Sequence, residues 1–320
     1  IPNGIAHCAI PFLLFYTIIK KNKIWEKCMS KPLLSIICIF YNKEHNVTKC
    51  INSILNQPES QFCEIICVND GSTDDTLKCL EKYPQVTIVN NDKNMGTCYT
   101  RYIGLKHAHG KYCWLIDGDD YVLENSLSII FNEIRNVKAD VYEFNIETNG
   151  KEFSQPINDQ LIKKNVLSVY ANKEIKNVLW NKVISRKVYK KIVKKYENIK
   201  HDNYSDVVYF LFMTFSYAKS VQQCSKPIYF YDDFVGMTAL DNKIEKLKHY
   251  CNFEYTYQSL MRIFGDSQEL FLFKNIVANQ AIVTYLTLTA KEQKQHYKEL
   301  LKLMDKNDIE YLISQHKKRK

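Results

Sequence analysis

The chain reads as α/β: a doubly wound, mostly parallel sheet with helices on both faces, followed by a mainly helical C-terminal region. Two observations predict this. Apolar runs such as "LLSIICIF" (33–40) lack polar alternation, the pattern of strands covered on both faces. Between them lie stretches of helical spacing, and strands alternating with helices argue for a parallel sheet.

The elements follow in order. "LLSIICIF" is the first strand. Residues 46–57 form a helix with Asn46 at its N-cap and Val47, Ile51, Ile54 and Leu55 on one face. "EIICVN" (64–69) is the second strand. A helix over Thr73–Tyr83 carries Leu77 and Leu80, with Ser72 or Thr73 as its cap. "VTIVN" (86–90) is the third strand, 97–108 a helix ending before Gly110, and "YCWLI" (112–116) the fourth strand. Further on, "VLWNKVISRKVYKK" (178–191) reads as a helix start and an amphipathic stretch. Residues 203–218 read as a helix with a polar N-terminus, and "KPIYFY" (226–231) as a short strand. Beyond about residue 240, Leu247, Tyr250, Tyr257 and Leu260 recur at helical spacing. The expected units are an extension (1–32), a main domain (33–238, divided near 125) and a helical region (239–320).

Composition narrows the function classes. With 320 residues, 46% hydrophobic and 25% charged, the chain is globular. The net charge of +9 and the ending His316-Lys317-Lys318-Arg319-Lys320 suit an anionic partner such as a membrane surface, or a solvated terminus. No zinc-finger or RRM-type signature is present, so no nucleic-acid partner is expected. The eleven cysteines are odd in number, form no CxxC pair, and include Cys38, Cys67 and Cys113 within apolar runs. They read as reduced thiols of a cytoplasmic protein. The stretch "IAHCAIPFLLFYTII" (5–19) is shorter than the ~20 residues of a bilayer span and lacks a basic leader. It reads as a short anchor or as sequence upstream of Met29. Either reading leaves the main domain in the cytoplasm, at most at the inner face of the membrane.

Open α/β sheets bind ligands at the carboxyl ends of their strands. There the polar clusters fall: "YNKE" (41–44), "NDGSTDD" (69–75), "NNDKNMG" (90–96) and "DGDD" (117–120). Asp117, Asp119 and Asp120 repel one another, so positive charge is expected beside them, or the cluster is a solvated turn. "DGSTDD" lacks the spacing and terminal Glu of a calcium loop.

Residues 33–125 resemble the nucleotide-binding half of glycosyltransferase family 2, inverting enzymes of GT-A fold. The matching text is "LSIICIFYNKE", "SILNQ" (53–57), "EIICVNDGSTDDT" (64–76), "NMGTCYTRYIGLKHAHGKY" (94–112) and "WLIDGDD" (114–120). The resemblance weakens over 176–240 and is absent beyond.

The resemblance implies a nucleotide-diphosphate sugar donor, UDP-linked, and a glycan or lipid-linked acceptor. It implies Mn²⁺ or Mg²⁺ held by Asp119, with Asp117 on metal, water or ribose and Asp120 behind them. Gly118 would let phosphate approach closely. Asp70 would accept from the nucleobase, Tyr41 and Glu44 would lie near it, and Arg101 would meet ribose or phosphate. Asp74 favours a helix N-terminus as readily as a ligand. Inversion needs one general base. Asp206, where Ser205-Asp206 replaces the family's Glu-Asp, is the expected base, with Asp202 in reserve. Trp180 and Lys182 resemble a W-x-K element near the acceptor, with ordinary packing an equal alternative. Ile39 and Tyr102 depart from the family's usual Pro and Asn. A nucleotidyltransferase would need a glycine-rich basic loop after the first strand, which "FYNKEHN" lacks. An inactive sugar-nucleotide-binding protein is the remaining rival.

Overall fold

The computed structural model describes residues 32–148, 157–172, 174–196, 203–231, 243–251 and 253–318. The stretch 1–28, Asp202, the boundary near 238 and the end of the basic tail lie outside the described residues.

Strands β1 (Leu34–Phe40), β2 (Cys63–Asn69), β3 (Thr87–Asn90) and β4 (Tyr112–Asp117) form a parallel half-sheet in the order β3-β2-β1-β4. Parallel neighbours need crossovers. These contain α1 (Val47–Leu55), α2 (Thr76–Leu80) and α3 (Thr97–His107). Strand β1 is buried throughout, which explains its uninterrupted apolar run. Leu34, Ile36, Cys38 and Phe40 join one apolar layer with Val47, Cys50, Ile51 and Ile54 of α1. Ile37 and Ile39 join the opposite layer with Cys98 and Leu105 of α3. That alternation is the strand's period of two. The doubly wound expectation holds.

After β5 (Tyr121–Val122) and α4 (Ser126–Asn136), the chain builds a mixed half-sheet. It comprises β6 (Val141–Thr148), β7 (Gln160–Ile162), β8 (Lys182–Ser185) and β9 (Val221–Tyr231). Strand β8 lies antiparallel between β4 and β6, β9 is parallel to β6, and β5 and β7 pair antiparallel with β9. Here the sequence reading needs correction. Lys182–Ser185 is a strand, not the start of a helix, because the β-branched pair Val183-Ile184 is buried between two strands. Strand β9 likewise starts earlier than the expected residue 226.

Helix α5 (Val166–Ala171) precedes β8; α6 (Arg186–Lys195) and α7 (Asn203–Tyr217) follow it. The C-terminal region is helical as expected: α8 (Lys243–Cys251), α9 (Phe253–Phe264), α10 (Gln268–Leu286), α11 (Ala290–Leu300) and α12 (Lys306–Lys318). Its Leu247, Leu260, Ile282 and Ile309 share one apolar cluster with Tyr209 and Phe212 of α7 and with the α3 face of the sheet. No described helix is long and apolar enough to cross a membrane.

The mixed half-sheet is locked by a buried charge. Lys182 is fully buried, and its Nζ donates to the carbonyls of Lys176 and Val178 (both 2.7 Å), to Asn181 Oδ1 (2.8 Å) and to Glu143 Oε1 (3.2 Å). Glu143 also accepts from Lys176 N and from Gln223 Nε2, each at 2.7 Å. Trp180 stacks on Tyr229 and Tyr231, with centroids 4.8 and 5.2 Å away. Both residues of the W-x-K element therefore pack.

Burial lowers the Lys182 ammonium to about 8, against the pull of Glu143. From about pH 8 to the ordinary value of 10.5, the unfolded chain keeps a proton that the folded chain has shed. This residue's contribution to stability therefore rises with pH across that window. The urea stability of the wild type relative to Lys182→Met should increase between about pH 7.5 and about pH 9.5. A difference that stays constant would contradict the burial argument.

Candidate active site

The carboxyl ends of β1, β2 and β4 converge on one sheet edge, and the acidic turn lies there. It is charge-compensated, the first of the two alternatives that the sequence left open. Lys43 Nζ lies 2.8 Å from Asp119 Oδ2. Arg101 Nη2 donates to Asp117 Oδ1 at 2.7 Å. The hydroxyl of Tyr229 donates to Asp120 Oδ2 at 2.7 Å and lies 3.3 Å from the Asp117 amide, from which it accepts. Burial, then repulsion from Asp117, raises the Asp119 pKa despite Lys43.

Gly118 is required by packing. A Cβ there would sit 2.3 Å from the Phe40 ring and 2.6 Å from the Ile39 carbonyl. The sequence reading ascribed this glycine to phosphate approach; the close neighbour in the structure is the end of β1. Gly71, at φ +64°, makes the expected tight turn, with the Lys93 backbone 2.3 Å from where a Cβ would lie.

The first two strand-end loops are clasped together. Glu44 Oε2 accepts from Asp75 N (2.9 Å), while Asp74 accepts from Glu44 N (3.2 Å) and Thr76 N (3.0 Å). Asn42 accepts from Thr73 N at 2.9 Å, and Ser72 Oγ from Asn42 N at 3.0 Å. Two expected caps are therefore corrected. Ser72 and Thr73 serve this clasp instead of capping α2, whose N-cap position is Asp75. Asn46 occupies the N-cap of α1 without capping it, and its Nδ2 points to the Asp119 carbonyl at 3.5 Å.

Asp70 is buried, and its carboxylate accepts from Asn91 Nδ2 (2.7 Å), Met95 N (2.8 Å) and Gly96 N (3.0 Å). It fixes the loop entering α3. Tyr41, 42% exposed, stands open at the end of β1.

Arg101 is the centre of the arrangement. It is 4% exposed, and besides Asp117 its Nη1 binds Asp206 Oδ2 of α7. Asp206 has no exposed surface, and its Oδ1 accepts from Val207 N at 2.8 Å. Burial pushes the Asp206 carboxyl up, with Arg101 opposing; the two carboxylates hold the Arg101 guanidinium charged against its own desolvation. Arg101 is thus engaged by two carboxylates and nearly buried. It joins the turn after β4 to the residue expected as base.

Among the described residues, no group of three or more His, Cys, Asp or Glu is arranged to hold a metal ion. A cation here would take most of its ligands from elsewhere. That suits Mg²⁺ or Mn²⁺, which are commonly held by one or two carboxylates plus phosphate oxygens and water.

Sequence reasoning overlooked Lys43 and Tyr229. Lys43 stood inside "YNKE", and its charge next to the strand end was the available signal. Tyr229 lies far along the chain from Asp120, and no local pattern joins them.

The comparisons place the chain among the glycosyltransferases. The glycosyl transferase family 2 profile matches residues 35–195, half of the chain, and the chain belongs to that family. It is 28% identical over 266 residues to the cholesterol galactosyltransferase of Borreliella burgdorferi, covering 77% of this chain and 73% of that protein. It is 33% identical over 115 residues to the poly(ribitol-phosphate) beta-glucosyltransferase of Bacillus spizizenii, covering 34% of this chain and 18% of that one. In fold it is similar to S. aureus TarS 1-349 in complex with UDP-GlcNAc. There the TM-score is 0.65 and the identity 20%, with 88% of this chain and 83% of that chain covered.

Arg101→Met should cost roughly 3–5 kcal/mol in urea unfolding, because it leaves the buried Asp206 and the half-buried Asp117 without their cation. Tyr229→Phe keeps the stack on Trp180 but removes the hydroxyl that donates to Asp120 Oδ2, at about 1–3 kcal/mol. A loss under about 0.5 kcal/mol in either variant, the range of ordinary surface changes, would contradict the assigned contacts.

Proposed function

We propose that the chain transfers a sugar, with inversion, from a UDP-sugar to a hydroxyl of a glycan or lipid-linked acceptor on the cytoplasmic side of a membrane. The observation that carries this is the buried Asp117–Arg101–Asp206 chain. It brings the carboxylate that opens the second half-site within one guanidinium of the acidic strand end. The TarS complexes with UDP and with UDP-GlcNAc support a UDP-linked donor, and the cholesterol galactosyltransferase supports a lipid acceptor.

In this reading Tyr41 and the Asp70 loop flank the base, and Glu44 keeps the two loops in register. Asp119 and Asp117 would hold the cation, which when bound supplies positive charge to the leaving diphosphate. Lys43 must then leave Asp119, and the donor diphosphate is the anion it would follow. Arg101 answers to the same anion. Its movement towards the donor would uncover Asp206, which is fully buried behind it. Asp206 then accepts the proton of the acceptor hydroxyl as that oxygen attacks the anomeric carbon. The bond to the diphosphate oxygen breaks, and UDP leaves with the electron pair.

The test is UDP release from a panel of UDP-sugars, with and without Mn²⁺, together with calorimetric binding of UDP. Asp119→Asn should abolish the Mn²⁺-dependent part of UDP binding. Asp206→Asn should retain donor binding while turnover falls about 10²–10⁴-fold. Because Asp206 becomes available only after Arg101 shifts, the acceptor should bind second. Unchanged turnover in Asp206→Asn would remove its role as base, and unchanged Mn²⁺ dependence in Asp119→Asn would remove the cation from this turn.

A further inference from the structure

Helix α6 carries Arg186, Lys187, Lys190, Lys191, Lys194 and Lys195, with no carboxylate along its length. Its apolar side is taken: Val188, Tyr189 and Ile192 are buried in the core shared with α3 and α7. At 3.6 residues per turn, the five lysines fall on the opposite arc. Lys187, Lys191, Lys194 and Lys195 are exposed and Lys190 is half-buried.

Like charges three and four residues apart oppose a helix, and this arc repeats them at Lys187/Lys191, Lys190/Lys194 and Lys191/Lys195. Among the described residues, neutralisation is slight. Lys187 pairs with Asp140. Lys190 and Lys191 lie near rings, 5.5 Å from the Tyr189 centroid and 5.3 Å from that of Tyr217. Among the described residues, no carboxylate pairs with Lys190, Lys191, Lys194 or Lys195. Crowding registers on Lys190, whose pKa is lowered by burial and then by Arg186. The helix C-terminus favours Lys194 and Lys195, but not the lysines a turn or more earlier.

We propose that this lysine face docks the chain on an anionic phospholipid bilayer. A row of exposed ammonium groups gains about additively from the negative potential of such a surface. Among the described residues of this face there is neither an exposed aromatic platform, as single-strand binders use, nor a free guanidinium fork, as base readers use. Arg186, the one arginine of the helix, donates to the His109 and Gly110 carbonyls. Tyr196, directly after α6, stacks at 3.9 Å on Tyr102 of α3, the helix that also carries Arg101. Docking of α6 would hold that helix near the headgroups, which suits a lipid-linked acceptor if the transferase reading is right.

The experiment is co-sedimentation of the full chain with phosphatidylcholine vesicles, with and without phosphatidylserine, at low salt. Wild type should bind the phosphatidylserine vesicles and leave the neutral ones. The variant Lys190→Ala/Lys191→Ala/Lys194→Ala/Lys195→Ala should bind at least roughly 100-fold more weakly. Its melting temperature should be no lower than that of the wild type, because the substitution relieves like-charge repulsion and Ala favours a helix. Deleting Lys317 to Lys320 should change binding much less. The proposal is overturned if the four-alanine variant sediments like wild type, if only the tail deletion abolishes binding, or if duplex DNA binds more tightly than the vesicles. UDP release from UDP-sugars, measured on the same variant without vesicles, should be unchanged. That separate readout keeps failure of docking distinct from failure of the transferase reading.

Discussion

A guanidinium buried between two carboxylates is the constraint on which this molecule turns. Arg101 belongs to α3, Asp117 to the end of β4 and Asp206 to the first turns of α7, so one side chain fixes three elements. Removing a charge from water costs several kcal/mol even after relaxation, and only close opposite charges offset it. The arrangement is therefore an all-or-none unit. It also explains why α7, otherwise apolar and surrounded by core aromatics, carries a carboxylate near its N-terminus.

The same logic extends to the rest of the acidic turn. Lys43 answers Asp119, and Tyr229 answers Asp120 while accepting from the Asp117 amide. Tyr229 is held in turn by the ring of Trp180, whose carbonyl accepts from Trp114 Nε1 at 2.6 Å. Each acidic residue of the turn thus has a partner from a different part of the chain. The cations of this edge, Lys43 and Arg101, are in place and engaged.

The parallel half-sheet was legible because its information is local. Runs such as "SIICIF" bury both faces, and Asp117-Gly118-Asp119-Asp120 announces a strand end with a charge problem. The segment Lys182–Ser185 misled because four residues cannot display a period, and its strand character depends on β4 and β6 being there to receive it. Site residues were legible as positions and not as partners. Arg101, Asp117 and Asp206 all stood out, yet nothing local indicates that one guanidinium serves both acids. Gly118 was read correctly as a place for no side chain, but the reason lies in Phe40, whose approach only the folded sheet creates. Lys43 and Tyr229 escaped because their meaning is purely tertiary.

The most direct test of the central claim is a double-mutant cycle on Arg101 and Asp206, with unfolding free energies from urea for Arg101→Met, Asp206→Leu and the double variant. If the two groups form one buried unit, the double variant will be more stable than the sum of the single losses implies. The expected coupling is about 1–3 kcal/mol, because Arg101→Met orphans the buried Asp206, whereas the double variant has no carboxylate at that position to orphan. Additivity within about 0.5 kcal/mol would mean that the residues act independently. The account of a site organised around Arg101 would then be wrong.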